Sequence, residues 1–292
     1  MGEPRNAPAA AVHGFLSRDG VRPAELLEKG RAEIRGYGTQ IKIGRVVSVK
    51  RVEGGFAVAL DDGGSVNARR LLVATGLVDE LPDVPGVRER WGRDVLHCPY
   101  CHGWEVRDQQ IGILASGPMA VHQALLFRQL SADVVLFRHT APRHTEDEAE
   151  QLAARGITVV DGEVSTLEVH DDQLSGVRLR SGEFVPCQAV VVAPRFVARA
   201  EVLSALGLET TDREISGHVL GSYVPADVTG ATTVPGVWVA GNVADPFGQV
   251  VGAASAGAMA GAHINADLVA EDTRYAVAAH RDRTSSTIVG SP

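Results

Sequence analysis

Two cysteines, Cys98 and Cys101, lie close together in the stretch His97-Cys98-Pro99-Tyr100-Cys101-His102-Gly103-Trp104. Their spacing brings two sulfur atoms near enough to form a small disulfide ring or to relay electrons as a dithiol. In such motifs one thiol commonly has a depressed pKa, so it is a thiolate near neutral pH and attacks disulfides. His102 directly follows the second cysteine and can exchange the proton that thiol exchange requires. The stretch predicts redox catalysis by Cys98, Cys101 and His102.

The alternative for the cysteine pair is half of a zinc site, completed by His97 or His102. Structural zinc draws on two well-separated ligand pairs, and the third cysteine, Cys187, stands alone in the sequence. We therefore favour redox chemistry over metal binding, and we expect Cys187 to pack as a small apolar residue. His102 could instead only cap local backbone groups, an alternative that the sequence leaves open.

A second motif, from Gln110 to Ala120, follows shortly after the cysteines. It predicts a buried strand, a glycine turn and a helix, the entry to a dinucleotide site. The turn could also pack without a ligand. Redox cysteines beside a nucleotide-binding unit are the central feature of this sequence.

The elements that must position these motifs alternate between strands and helices along the chain. Helices are predicted at Pro23–Ile34, at Pro118–Leu130, after the capping box of Thr145 and Glu148, and over Gln249–Ala270. Strands are predicted at Ile41–Val52, Phe56–Leu60, Arg70–Gly76, Asp133–Phe137, Ile157–Val160, Val164–Val169, Gly176–Leu179, Ala189–Ala193 and Val234–Val243. Val164–Val169 and Gly176–Leu179 are expected to form a hairpin around Asp171 and Asp172. Residues Glu209–Asp227 are expected to be irregular, and the tail from Arg281 to be disordered.

Composition excludes several classes of protein. The 292 residues carry a net charge of −8 without a basic cluster, which argues against binding to nucleic acid or anionic membranes. The chain has no apolar run long enough to span a bilayer and no signal-peptide pattern. Three cysteines are too few for a secreted disulfide scaffold. We expect a cytoplasmic globular protein.

Three signatures in a fixed order give the chain a family resemblance. They are Ala74-Thr75-Gly76, then Cys98-Pro99-Tyr100-Cys101-His102-Gly103, then Val234–Asn242 followed by Gln249. The chain resembles the low-molecular-weight thioredoxin reductases, and within them the small-molecule dithiol oxidases of the gliotoxin and holomycin type. The resemblance extends to about Ala270.

The resemblance implies an α/β fold with two doubly wound, Rossmann-like domains, the second inserted in the first. Residues 1–80 and 209–292 would form an FAD domain, and residues 81–208 an NADPH-type domain that carries the cysteines. It also implies a homodimer, in which Cys101 is the thiol next to the flavin and Cys98 the outward interchange thiol. The cofactor contacts that it implies are Arg5, Asn6, Thr75, Gly76, Gly117, Met119, Ala120, Arg138, Gly241, Asn242, Gln249 and Val250.

The sequence departs from the family pattern at several positions. His102 replaces an aspartate of the reductases, which favours the oxidase branch. Asn242 replaces an aspartate at the flavin ribityl chain and keeps hydrogen-bonding capacity without charge. Ala115 replaces the first glycine of the nucleotide turn, which weakens the case for NADPH. The strand, glycine turn and helix with which the family begins have no counterpart before Pro23, so we expect a misassigned start or a truncation.

The sequence thus leaves three hypotheses. The main one is an FAD-dependent thiol–disulfide oxidoreductase that is thioredoxin-reductase-like and exchanges electrons between the cysteine pair, flavin, and NADPH or oxygen. The second is a small-molecule dithiol oxidase that uses oxygen without NADPH. The third is a truncated relic that is not catalytic. As an enzyme, the protein is expected to have a dithiol or disulfide substrate as its partner, either a thioredoxin-like protein or a small molecule.

Overall fold

The structure is a computed structural model that describes residues 4–289, with side chains described through residue 284. The helices are α1 (Pro23–Gly36), α2 (Val87–Arg90), α3 (Pro99–His102), α4 (Ala120–Phe127), α5 (Glu146–Ala154), α6 (Glu201–Ser204) and α7 (Val250–Val289). The strands are β1 (Val46–Val52), β2 (Gly55–Leu60), β3 (Ser65–Ala68), β4 (Leu71–Val73), β5 (Leu77–Glu80), β6 (Val95–Leu96), β7 (Ile111–Leu114), β8 (Val134–Phe137), β9 (Thr158–Val160), β10 (Val164–His170), β11 (Gln173–Leu179), β12 (Phe184–Pro186), β13 (Ala189–Val191), β14 (Arg195–Ala198), β15 (Thr211–Ile215), β16 (His218–Tyr223) and β17 (Val237–Val239).

The chain divides into two compact units. The cysteine unit combines Met1–Ile43, Leu77–Val197 and Asp212–Ser222, and the long-helix unit combines Gly44–Gly76, Ala198–Thr211 and Tyr223–Pro292. These units cut the chain at different places from the domains expected from sequence, most visibly at the N-terminal segment, which belongs to the cysteine unit. The assignment of one nucleotide to each sequence-based domain stays a prediction.

A five-stranded parallel sheet of order β6-β13-β7-β8-β9 is the centre of the cysteine unit. The apolar runs of β7 and β8 are buried at every position, as expected for parallel strands that are covered on both faces. Two hydrophobic clusters lie in this unit, and they include Phe127 and Phe137. Cys187 is buried in the second cluster, which confirms its expected packing role.

Capping and turn residues determine the ends of α5 and the turn of the β10–β11 hairpin. The Thr145 side chain accepts from the backbone N–H of Glu148 and the Glu148 carboxylate accepts from that of Thr145, so the predicted capping box is confirmed. Gly156 has a φ of 66° just after the helix, in the left-handed region that glycine adopts without strain. The β10–β11 hairpin turns through Asp171 and Asp172, as predicted.

The region Glu209–Asp227 corrects the sequence-based expectation, because it contains the β15–β16 hairpin. Both central turn residues, Ser216 and Gly217, have positive φ values of 51° and 80°. Such turns match the twist of paired strands. The strands belong to a four-stranded sheet of order β15-β16-β14-β5. Strand β15 is polar and mostly exposed, so its sequence lacks the apolar alternation by which a strand is recognised.

The long-helix unit contains the antiparallel sheet β1-β2-β3, the parallel pair β17-β4 and helix α7. The predicted strand from Ile41 begins only at Val46, since residues 41–45 are irregular. Helix α7 runs to Val289, so the expected disorder is wrong for 281–289. No glycine or proline interrupts residues 262–289, and Thr284 Oγ1 donates to the His280 carbonyl within the helix. Residues 290–292 lie outside the described part.

Candidate active site

The cysteine pair lies at the start of the short helix α3, immediately after strand β6. Cys98 and Cys101 form a disulfide with a Cα–Cα distance of 5.3 Å, and both residues are half-buried. The backbone N–H groups of Cys101 and His102 both donate to the Cys98 carbonyl, at 3.3 and 3.1 Å. One helical turn therefore holds both sulfur atoms together, and the predicted redox pair is assembled.

His102 is half-buried and ends α3, directly after Cys101 in the chain. Burial lowers the pKa of its imidazole, and the nearby Glu105 carboxylate partly opposes that shift. The imidazole is therefore neutral near pH 7 and can accept a proton. A neutral imidazole is what the expected proton-transfer role requires, and that role stays a prediction.

His97 precedes the pair and has a structural environment. Its Nδ1 lies 3.2 Å from the Val192 carbonyl oxygen and 3.2 Å from Gln123 Nε2, and its ring packs edge-on to Phe196. Burial lowers its pKa. Within residues 4–289, no group of three His, Cys, Asp or Glu side chains is arranged to hold a metal ion. These neighbours give His97 a packing role.

The predicted nucleotide turn links β7 to α4. The space around Gly117 is open, since an added Cβ would meet only Ala193 Cβ, at 3.6 Å. Met119 occupies the N-cap position of the helix that begins at Ala120, without a side-chain hydrogen bond to it. Ser116 Oγ is buried and lacks a hydrogen-bond partner among the described residues. An orphaned hydroxyl in a small-residue turn before a helix fits a pyridine-nucleotide phosphate.

Arg138, expected to bind a 2′-phosphate, already has a carboxylate partner. Its Nε donates to Asp161 Oδ1 at 2.5 Å, and this contact holds the pKa of Asp161 below its usual value. Asp161 is 71% exposed, so the pair lies at the surface, where exchange with another anion costs little. Arg138 thus follows β8 as expected, and its guanidinium is paired with Asp161 of the same chain.

The residues expected to bind FAD from the long-helix unit follow two neighbouring parallel strands. Strand β4 leads to Thr75 and Gly76, and β17 leads to Gly241; Val239 pairs with Val73. Gly76 and Gly241 have φ values of 71° and 75°, which L side chains rarely adopt. Parallel pairing therefore brings the two predicted turns to the same edge of the sheet.

A loop from Asn242 to Gln249 connects this edge to α7. Asn242 Nδ2 donates to the carbonyls of Asp245 and Gly248, at 2.9 and 2.8 Å. Gln249 is exposed, and Val250 begins the helix. Asn242 thus fixes the chain just ahead of the N-terminus of α7.

A cavity of about 260 Å³ opens beside this loop, lined in part by Gly241, Gly248, Gly252 and Ala253. A Cβ added at Gly252 would meet nothing within 4 Å. The first N–H groups of α7 lack partners within the helix, as at any helix start. Small residues around unpaired N–H groups fit a phosphate or a flavin carbonyl, so these residues fit part of FAD.

Comparisons with known proteins identify the family. The family model for pyridine nucleotide-disulphide oxidoreductases matches residues 4–260. The chain belongs to this family. Thioredoxin reductase sirT of Leptosphaeria maculans is 30% identical over 285 residues, which cover 92% of this chain and 85% of that protein.

Solved structures agree with this membership. HlmI is 49% identical with a TM-score of 0.88, over 97% of this chain and 87% of that one. The oxidoreductase from Agrobacterium tumefaciens is 34% identical with a TM-score of 0.84, over 92% of this chain and 88% of that one. The resemblance, the Rossmann-type α/β fold and the oxidoreductase activity expected from the sequence are confirmed.

As a member of the pyridine nucleotide-disulphide oxidoreductases, the chain is an enzyme of a family that uses FAD and NAD(P)H. Arg5 and Asn6, which were also expected to contact FAD, belong to the cysteine unit. The Arg5 guanidinium forms two hydrogen bonds to Asp79, at 2.8 and 2.6 Å, and lies 4.8 Å from the Phe196 ring centroid. These contacts within the unit already hold Arg5.

Two ionisable residues that act on His102 escaped the sequence analysis. Glu105 lies three positions after His102, and its Oε1 is 3.0 Å from His13 Nε2. Glu105 could have been noticed as an acid only three positions after His102. No local pattern signals His13, because this contact joins positions that are 92 apart in sequence.

Proposed function

We propose that this oxidoreductase oxidises a small-molecule dithiol to a disulfide, with oxygen as the final electron acceptor. The observation that carries the proposal is the half-buried His102, which ends α3 immediately after Cys101 of the Cys98–Cys101 disulfide. Burial lowers the pKa of this imidazole, so it is a neutral base at neutral pH. Dithiol oxidation needs such a base, since two thiol protons must leave the substrate.

The chain's own residues account for the exchange steps. His102 accepts the proton of one substrate thiol, and the thiolate attacks Cys98 Sγ. The bond to Cys101 breaks, and Cys101 leaves as a thiolate. The second substrate thiol loses its proton and attacks the substrate sulfur of the mixed disulfide, which releases Cys98. The substrate loses two electrons and two protons, while the protein disulfide becomes a dithiol that keeps one proton or both.

The long-helix unit would hold the FAD. Gly241 and Val250, at the turn and the helix start, are the expected contacts, and Asn242 fixes the loop between them. Thr75 is a weaker candidate, because its Oγ1 donates to the Arg199 carbonyl at 2.6 Å. When bound, the flavin supplies the acceptor for the electron pair of the reduced cysteines.

A second candidate is an NADPH-dependent reductase of a thioredoxin-like disulfide, with electrons passing in the opposite direction. The buried, unpartnered Ser116 Oγ in the β7–α4 turn favours it. The name of the relative sirT, a thioredoxin reductase, also favours it. Against it, Ala115 stands where the family pattern has the first glycine of the nucleotide turn. The two candidates share the cysteine chemistry and differ in the electron source.

The cellular location and the oligomeric state are a further part of the proposal. We propose a cytoplasmic homodimer, since the resemblance implies a dimer and the cysteine pair suits a reducing compartment. Within the part of the chain that the structure describes, no helix combines the length and apolar character needed to cross a bilayer.

Parallel assays separate the candidates. The full chain with bound FAD is supplied with a dithiol and oxygen uptake is recorded; in the other assay, NADPH consumption is recorded with thioredoxin as substrate. The proposal expects dithiol-dependent oxygen uptake that is lost in Cys98→Ser and retained in Cys187→Ala, which removes a buried thiol instead. NADPH consumption with thioredoxin and no oxygen uptake would establish the reductase.

A further inference from the structure

Glu105 carries an unusual carboxylate. Its Oε1 lies 3.0 Å from His13 Nε2, whereas its Oε2 is buried and has no hydrogen-bond partner among the described residues. A buried carboxylate oxygen without a partner is costly, so it marks a place where a cation or proton donor belongs. Glu105 follows His102, the last residue of α3, by three positions in the chain.

His13 holds this carboxylate from the opposite end of the sequence. The N-terminal segment folds back through a bridge between Val12 and Val21, and Asp19 accepts from the Gly14 N–H at 2.9 Å. Asp19 Oδ2 lies 3.3 Å from His13 Nδ1. The imidazole therefore stands between two carboxylates, Asp19 and Glu105. Burial lowers its pKa, but its contacts with those two carboxylates outweigh burial and raise the pKa above the ordinary value.

We propose that Glu105 is a positioning residue for His102: its charge stabilises the imidazolium that forms when His102 takes a thiol proton, and His13 fixes the carboxylate for that task. The inference rests on the thiol–disulfide exchange proposed above and names a further part of its machinery. Glu105 touches neither sulfur atom in this scheme and acts only through His102.

The charges around His102 support this role. Among the described residues, Glu105 from the loop after α3 and His13 from the N-terminal segment are the ionisable groups that act on the His102 imidazole; Asp19 acts through His13. Burial lowers the pKa of His102, Glu105 raises it and a charged His13 lowers it. Without Glu105, His102 would be a weaker base in a buried site.

The proton balance is simple. A thiol S–H bond breaks, an N–H bond forms on His102, and the electron pair stays on the substrate sulfur for its attack on Cys98. The imidazolium then carries one positive charge, which the charge of the Glu105 carboxylate stabilises. When the proton passes to solvent, His102 returns to its neutral form.

The test measures how fast dithiothreitol reduces the Cys98–Cys101 disulfide in the full chain with FAD, without oxygen, across a pH series. Samples are quenched with N-ethylmaleimide, and intact mass gives the reduced fraction. Because neutral His102 is the active form, the rate falls as the pH drops through its pKa. We expect Glu105→Gln to move this acidic limb down by about one pH unit, since an opposing charge is lost.

The matched control is Asp108→Asn, an exposed acid in the same loop with a φ of 60° that asparagine tolerates. Its profile should coincide with that of the wild type. In a His102→Gln background, Glu105→Gln should produce no further shift. An unshifted profile for Glu105→Gln alone, or a shift that survives without His102, would overturn the proposal.

A second measurement does not depend on folding of the Glu105 variant. Histidine C2–H resonances of the wild type are followed by NMR, with His13 and His102 assigned from His13→Gln and His102→Gln. We expect His13 to titrate above the ordinary imidazole value of about 6.5 and His102 below it. A His13 pKa at or below that value would contradict the proposed contacts of His13 with Glu105 and Asp19. A shifted limb with no dithiol-dependent oxygen uptake would refute the oxidase and leave this inference standing.

Discussion

Replacing Asn242 by aspartate tests how the loop before α7 is held. Both protons of the Asn242 amide donate to backbone carbonyls, those of Asp245 and Gly248, at 2.9 and 2.8 Å. An ionised aspartate has the same shape but no donor, and it places its charge against two carbonyl oxygens. The substitution therefore removes two hydrogen bonds and adds repulsion.

The expected cost follows from those two bonds. A typical internal hydrogen bond contributes a net 0.5–1.5 kcal/mol, so Asn242→Ala should lower the free energy of unfolding by about 1–3 kcal/mol. Asn242→Asp should cost at least as much at pH 7. The carboxyl can donate one bond when protonated, so its pKa in the folded protein lies above the unfolded value. The deficit therefore shrinks as the pH falls through that raised pKa.

Urea unfolding of the full chain, followed by circular dichroism at fixed FAD concentration, measures this loss. Asn67→Asp is the matched control, because Asn67 is exposed on β3 and the same chemical change should cost little there. The affinity for FAD should fall by about tenfold if the loop contributes to its site, equivalent to about 1.4 kcal/mol. An Asn242→Asp variant as stable as the wild type at pH 7 would refute the reasoning.

Two further predictions concern the cysteine unit. Gly112→Ala should lower the free energy of unfolding in urea by about 1–3 kcal/mol, because strands and core side chains must move to accommodate the added methyl group. The alanine Cβ would lie 2.6 Å from Phe137 Cε2. Unchanged stability would mean that this packing is looser than described. Asp172 pairs with Arg93 and Arg90, which lower its pKa to about 2. Its contribution to stability is therefore present above the unfolded pKa and is lost as the pH falls towards 2. Asp172→Asn should be less stable than Asp171→Asn at pH 7, and this gap should close in acid; a gap independent of pH would exclude the ion pairs as its cause.

The sequence predicted the parts of the fold that carry strong local patterns. The buried runs of β7 and β8, the capping box at Thr145 and the hairpin at Asp171 were all found, because periodicity, capping and turn preferences act over a few residues. The cysteine motif was found for the same reason. Two strands that end in small residues, near Gly76 and Gly241, were also predicted from the chain itself, whereas their parallel pairing was not.

What the sequence missed depends on contacts made far along the chain. The polar strand β15 is set by pairing with β16 rather than by its own pattern. The polar end of α7 continues as helix because backbone hydrogen bonds extend it where no breaker intervenes. The contact of His13 with Glu105, and that of Arg138 with Asp161, appear only when distant segments meet. The sequence thus predicted the type of chemistry at the site, but not the charged residues that pair with His13 and Arg138.

Mixing the full chain and its bound FAD with dithiothreitol in the absence of oxygen tests the central claim most directly. The visible absorption of the flavin is recorded for the wild type, for Cys98→Ser and for Cys187→Ala. The cysteine pair is the route of the electrons in this account, so the band should bleach in the wild type and in Cys187→Ala, and should persist in Cys98→Ser. Bleaching of Cys98→Ser at the wild-type rate would contradict the assigned role of the Cys98–Cys101 disulfide.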